Sequence, residues 1–297
     1  MMTENAQVAK RHMGLERQRR VSNTVIYVVL VLISVIWLIP FLFILLQSFR
    51  VETTMEVGYV LPKQWGLDNY TYLLNPDNCS FLKWYLNTLI IALFVAVFQT
   101  VIVLCMSYTL SRFRFKLRTP MMKIMLVLGM FPGILTMVIL YNVLKSLGLT
   151  GQNAVPGLIL VYIASSGMGY YVSKGFFDTI SRSLDEAARI DGATRLKVLY
   201  KIILPLSKPI VIYTVLTAFM APWGDYIFAS YISHNVTAGK NVAVGLASWM
   251  NDTDALRAQH YTHFCAGGVL VALPVTIVFM CLQRYYVEGV TGGAVKG

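Results

Sequence analysis

Charged residues are missing from long stretches of this 297-residue chain, and the gaps set its organisation. A helix crossing a bilayer needs about 20 mostly apolar residues, because each adds ~1.5 Å across ~30 Å of hydrocarbon. Charge-free runs on that scale cover 25–46, 84–110, 124–144, 154–172 and 264–283. A sixth run, 209–231, holds one charge, Asp225. The 154–172 run is the weakest, diluted by Gly157, Gly167 and Gly169. The pattern predicts an all-α membrane protein with six transmembrane helices. The first run is too long for a secretory apolar segment of about 7–15 residues and ends without a small-residue cleavage site, so it is read as a retained helix.

Composition agrees. Hydrophobic residues make up 57% of the chain and charged residues 13%, about half the share of a soluble domain. The net charge of +11 alone would suggest nucleic acid or a membrane surface. Its distribution decides. Nineteen of the 25 Lys+Arg fall in the N-terminal tail, the segments after the second and fourth spans, and the C-terminal tail. Basic segments stay inside, so both termini are placed in the cytoplasm and nucleic-acid binding drops out. The expected layout is a basic tail at 1–23, a six-span domain at 24–284 with a cytoplasmic loop at 174–208, and a cytoplasmic tail at 285–297. Long outer loops are expected at 50–83 and 232–262, with Trp65, Trp84 and Tyr85 at the water boundary. Cys79, Cys105, Cys265 and Cys281 show no paired spacing and are read as free thiols. His260 and His263 near Asp252 and Asp254 are read as structural or solvated, with no metal site.

The cytoplasmic loop carries the most specific signal. Ser183 followed by Glu186 reads as a capping box that starts a helix. Ala187 and Ala188 keep that helix thin, and Gly192 ends it through a positive φ. Thr194 then caps a second helix reaching Ile202, with Leu196, Leu199 and Ile203 as an apolar stripe, and Pro205 limits it. A helix pair with one wet and one apolar face calls for a protein partner or the membrane surface.

Glu186-Ala187-Ala188, Gly192 and Ile202-x-Leu204-Pro205 resemble the EAA loop of ABC-importer permeases. Asp68-Asn69-Tyr70, Phe131-Pro132-Gly133, the 272–279 segment and the C-terminal tail are similar to the carbohydrate branch, in particular the shorter membrane subunit of maltose/maltodextrin importers. The resemblance covers nearly all of 22–297. It implies a type I ABC-importer permease fold, a second permease subunit as heterodimer partner, a cytoplasmic ATPase homodimer, an extracytoplasmic sugar-binding protein and an oligosaccharide substrate, in the plasma (inner) membrane of a bacterium or archaeon. It implies that Glu186, Ala187, Ala188, Gly192, Leu196, Leu204 and Pro205 couple to the ATPase. It also implies that Gly293, Ala294, Val295, Lys296 and Gly297 reach the ATPase, and that Asn251, Asp252, Thr253, Asp254 and Ala255 meet the binding protein. No G-x-x-x-x-G-K-[ST] occurs in the chain. ATP and Mg are therefore expected on the partner, with no cofactor or catalysis in this chain.

Asp225, the one ionisable group within a span, has two readings: a pathway wall together with Trp223, or an anchor bonded to a neighbouring helix. Pro132, Pro156, Pro222 and Pro274 are expected to bend helices. Gly129, Gly133, Gly167 and Gly169 are expected at close contacts. The alternatives are the same machinery for a galactooligosaccharide or, in a different class, an ion-driven secondary transporter. The latter usually shows an internal repeat and several intramembrane charges. A membrane-embedded enzyme would need a cluster of His, Asp or Glu near one membrane face.

Overall fold

The computed structural model describes residues 2–55, 58–234 and 236–294, and side chains for 19–55, 58–166, 168–234 and 236–285. In chain order the helices are α1 (Met2–Ser48), α2 (Asp68–Leu74), α3 (Phe81–Arg112), α4 (Arg118–Gly129), α5 (Gly133–Ser146), α6 (Ala154–Ala164) and α7 (Gly167–Asp178). They continue with α8 (Arg182–Ile190), α9 (Arg195–Val198), a π-helical turn over Leu199–Ile203, α10 (Leu204–Leu206), α11 (Lys208–Gly224), α12 (Ile227–Ser233), α13 (Val242–Met250) and α14 (Asp254–Ala294). Among the described residues there is no strand, only an isolated bridge between Arg50 and Trp65.

The central element is α3, which packs on α6, α7, α11 and α13, while α14 packs on α1, α2, α11 and α13. Three apolar clusters follow α3 along its length. Trp84, Phe219, Trp223 and Trp249 lie at its start, Ile91, Val95 and Leu158 in its middle, and Leu104 and Tyr108 with Phe177 and Ile203 at its end. The exterior is apolar as well: α1 from Val25 to Leu42 exposes nearly every side chain. A helix hydrophobic all round belongs in a membrane or a core. Four helical stretches are long and apolar enough to cross a bilayer, and six if each of two bent pairs counts as one.

The bend expected at Pro132 is present, and two other runs are interrupted where no break was expected. The 124–144 run breaks between α4 and α5 with a 102° bend, where Pro132 adopts φ −56° and ψ 124°. Proline cannot accept the helical geometry of its predecessor without a clash. The 154–172 run breaks at Ser165 and Ser166. The 209–231 run ends at Gly224, and Asp225 is extended at φ −79° and ψ 100°. The last helix starts ten residues before the expected 264, at Asp254. Pro156 lies in the first turn of α6, where a missing N–H costs nothing.

Two other expectations change. Trp84 is no boundary anchor: it is 5% exposed and packs against α13 at Gly245, where a Cβ would lie 2.0 Å from the indole. Gly129 and Gly133 have nothing within 4 Å of an added Cβ, whereas Gly169 meets Val103 at 3.6 Å. The surroundings of Gly167 lie outside the described residues. The Asp68-Asn69-Tyr70 motif has a local cause. Asn69 Nδ2 donates to the carbonyls of Ser48 (2.9 Å) and Arg50 (2.8 Å), and its Oδ1 accepts from Thr262 Oγ1 at 2.9 Å. One buried amide thus ties the end of α1, α2 and α14 together.

Candidate functional site

The helix pair α8–α9 is built by its caps. Ser181, not Ser183, caps α8: its Oγ accepts the Ser183 N–H at 3.3 Å. The expected box with Glu186 does not form, because the helix already begins at Arg182. Gly192 takes φ 81°. The Ala193 N–H donates to the Ala188 carbonyl (2.9 Å) and the Gly192 N–H to that of Arg189 (3.1 Å), the paired bonds of a left-handed C-cap. Thr194 Oγ1 accepts the Lys197 N–H at 3.3 Å and starts α9. The helical backbone runs on past the expected Ile202 to Leu206, but as one α turn followed by a π turn. Pro205 has no N–H for the Lys201 carbonyl and crowds it, and the preceding backbone widens into the π turn. At Ser207 the chain bends by 87° into α11.

The expected apolar stripe is divided. Leu199 and Ile203 are buried against α3 and α7, with Val198 beside them. Leu196 is 72% exposed and Ile190 87% exposed. The π turn puts the residues in and after it out of phase with those before. Glu186, Ala187, Pro205 and Gly192 are exposed, while Ala188 and Leu204 are half-buried.

The pair is held by the end of α3. Arg112 Nε lies 3.1 Å from Asp185 Oδ2, Arg112 donates to the Ile180 carbonyl and Arg182 to that of Ser111, both at 3.0 Å. Tyr108 Oη donates to the Arg195 carbonyl at 3.2 Å. Burial pushes the Asp185 carboxyl above its ordinary range, outweighing the opposing pull of Arg112 and Arg182. Arg112 and Asp185 are thus the anchoring pair. The sequence marked Arg112 only as a topology charge, and Asp185 stood unnoticed beside Glu186. Between the two helices and α3 lies a cavity of about 330 Å³, bordered by Arg112, Arg114, Arg182, Arg189 and Arg195 with Asp185 and Glu186. Five guanidinium groups against two carboxylates give its border a net positive charge.

A second cavity, of about 250 Å³, lies where α6 breaks into α7. Gln99, Ser165, Ser166, Thr214 and Thr217 border it, and Gln99 Nε2 donates to Ser166 Oγ at 2.7 Å. Non-helical backbone at membrane depth belongs where it faces a cavity or protein. The adjacent serines within an apolar run were the signal for it. Trp223 and Asp225 do not border this cavity. Trp223 is 4% exposed within the cluster at the start of α3. Asp225 accepts from Tyr162 Oη and, through Oδ1, from the Phe228 N–H at 3.1 Å, so its carboxylate caps the start of α12.

At the other end of the molecule, Asn251, Asp252 and Thr253 form an exposed turn after α13, while Asp254 and Ala255 open α14 rather than belonging to a loop. Arg257 closes the turn, donating to the Met250 carbonyl at 2.8 Å and pairing with Asp254 at 3.2 Å. His263 stacks on Tyr72 at 3.9 Å and His260 on Trp249 at 5.2 Å. Of the C-terminal coupling residues, Gly293 and Ala294 end α14, and Val295, Lys296 and Gly297 lie outside the described residues.

The family model described as binding-protein-dependent transport system inner membrane component matches residues 104–292, from the last third of α3 through α8–α9 to α14. The chain belongs to that family. Among relatives, the maltodextrin transport system permease protein MdxG of Bacillus subtilis is 35% identical over 286 residues, covering 96% of this chain and 100% of the relative. The galactooligosaccharides transport system permease protein GanQ of the same organism is 33% identical, covering 91% and 94%. A chain of a bacterial ABC transporter involved in the import of alginate superposes with a TM-score of 0.74 at 23% identity, covering 91% and 98%. The fold is that of an all-helical type I ABC-importer permease.

Proposed function

We propose that this chain is one of two permease subunits of an ATP-driven oligosaccharide importer, with α8–α9 as the surface that docks on a cytoplasmic ATPase homodimer. The observation that carries the reading is a capped helix pair that presents Glu186, Ala187, Ile190 and Leu196 outward and turns directly into α11. Counting each bent pair as one span gives six spans with both termini in the cytoplasm, in accord with the basic segments. An extracytoplasmic binding protein delivers the sugar, and ATP with Mg stays on the ATPase. The hydroxyl-lined cavity beside α11 supplies hydrogen-bonding groups along the path. Similarity to MdxG supports a maltose/maltodextrin substrate, and similarity to GanQ supports a galactooligosaccharide as second reading.

The test is the assembled complex carrying Glu186→Ala. The chain stays in the membrane, and sugar-stimulated ATP hydrolysis falls at least tenfold. Uptake of maltotriose by vesicles holding this chain alone, with no ATPase, would sink the subunit reading.

A further inference from the structure

The end of α3 away from the coupling helices holds a third cavity, of about 460 Å³, bordered by Tyr226, Lys240, Val244, Ser248, Asn251 and Asp252. Its size falls within the range of small-molecule sites, about 300–1,000 Å³. Trp84, beneath it, and Arg112, at the coupling end, are about 40 Å apart along α3 at ~1.5 Å per residue.

The segment that carries Lys240 is fixed in place by hydrogen bonds from two helices. Asn87 Nδ2 donates to the carbonyls of Ala238 (3.0 Å) and Lys240 (2.9 Å). The Val242 N–H donates to Thr88 Oγ1 at 2.8 Å. Asn241 Nδ2 donates to the carbonyls of Pro222 (3.2 Å) and Asp225 (2.7 Å), while its Oδ1 accepts the Val244 N–H at 2.9 Å. Lys240 itself is 8% exposed. Among the described residues its ammonium makes no hydrogen bond or ion pair, and it lies 5.7 Å from the Trp84 ring centroid. Burial holds its pKa below the ordinary lysine value. The partly buried ammonium, resting over the Trp84 ring, is left with hydrogen-bond donors to offer a ligand in the cavity.

We propose that this cavity is a sugar subsite, in which one neutral pyranose unit of the arriving oligosaccharide is held by Lys240, Ser248, Asn251 and Asp252 against the Tyr226 ring. The proposal rests on the importer reading. The lining decides the ligand class. A hydroxyl can accept from Lys240 and donate to Asp252, and bonds to ionised partners are about twice as strong as neutral ones. Asn251 and Ser248 add neutral partners of both kinds, with Asn251 Nδ2 already aligned on Tyr226 Oη at 3.1 Å. A single carboxylate from a partner protein would satisfy Lys240 but share the cavity with the Asp252 carboxylate. A neutral polyol satisfies both.

The experiment uses the complete importer in proteoliposomes, with labelled maltotriose and a labelled galactotriose as probes. Lys240→Met keeps the stem on Trp84 and removes the charge. Ser248→Ala deletes one oxygen and carries the test if the first variant fails to assemble. The expected result is at least fivefold less sugar imported per ATP hydrolysed. The binding-protein concentration that half-saturates ATP hydrolysis serves as the docking control and is expected to stay within twofold. Unchanged sugar per ATP in the variants overturns the subsite alone. So does a raised half-saturating concentration with unchanged sugar per ATP, which would mean that the cavity receives a side chain of the binding protein. A wild-type complex that imports neither probe would overturn the importer reading for these sugars and the subsite with it.

Discussion

The two ends of α3 are built differently. At its start, buried amides and hydroxyls bind fixed backbone: Asn87, Thr88 and Asn241 together make six such hydrogen bonds to the 238–244 segment and its neighbours. Trp84 lies flush on Gly245, with no room for a methyl group. At its end, the coupling helices rest on one ion pair, a few carbonyl contacts and a small apolar cluster. Their other face exposes Ile190 and Leu196. One end is closed on itself and the other leaves apolar side chains uncovered. The same helix therefore carries a rigid seat and a joint, and stability should be far more sensitive to change at the first.

The largest effect is expected for Gly245→Ala. Its new Cβ would sit 2.0 Å from the Trp84 ring, and overpacking of a buried aromatic costs about 3 kcal/mol. Thermal unfolding of the detergent-solubilised chain should show a lower midpoint, and an unchanged midpoint would mean that the seat is loose. Asn241→Ala comes next. It removes a helix cap and two buried amide bonds, about 2 kcal/mol, read in the same assay. Gly192→Ala has open space around it and is penalised only for its φ of 81°, about 1 kcal/mol. It should lower the midpoint little while sharply reducing sugar-stimulated ATP hydrolysis in the complex. Smallest for stability is Leu196→Asp, within about 0.5 kcal/mol as an exposed substitution. Its effect should appear in co-purification, where the ATPase is lost. If Leu196→Asp destabilised the isolated chain as much as Gly245→Ala, the contrast between the ends would be void.

The sequence made some of this legible for physical reasons. A charge-free run identifies membrane helices because hydrocarbon tolerates few charges, and Gly192 was readable because its φ needs the absence of a Cβ. Pro132 marked a bend but not its size, and the break at Asp225 was harder. Hydropathy counts composition and is blind to direction, so a run that turns through 102° reads like a straight one. The shift of the cap from Ser183 to Ser181 shows the ordinary ambiguity of neighbouring serines, either of which can begin a helix. Trp84 misled because an indole near a span end suits a boundary or a core equally well, and only the facing glycine, 161 positions away, decides. The Lys240 cavity had no local signature: Tyr226, the Lys240 segment and the turn after α13 are separate stretches that Asn87 and Asn241 bring together.

The elbow at Ser207 has a mechanical corollary. Because α11 leaves the coupling helices at 87°, a thrust along one arm becomes a swing of the other. The swinging arm carries Thr214 and Thr217 on the wall of the hydroxyl-lined cavity and leans on α3 and α14. A change of angle at Ser207 would therefore alter the width of that cavity.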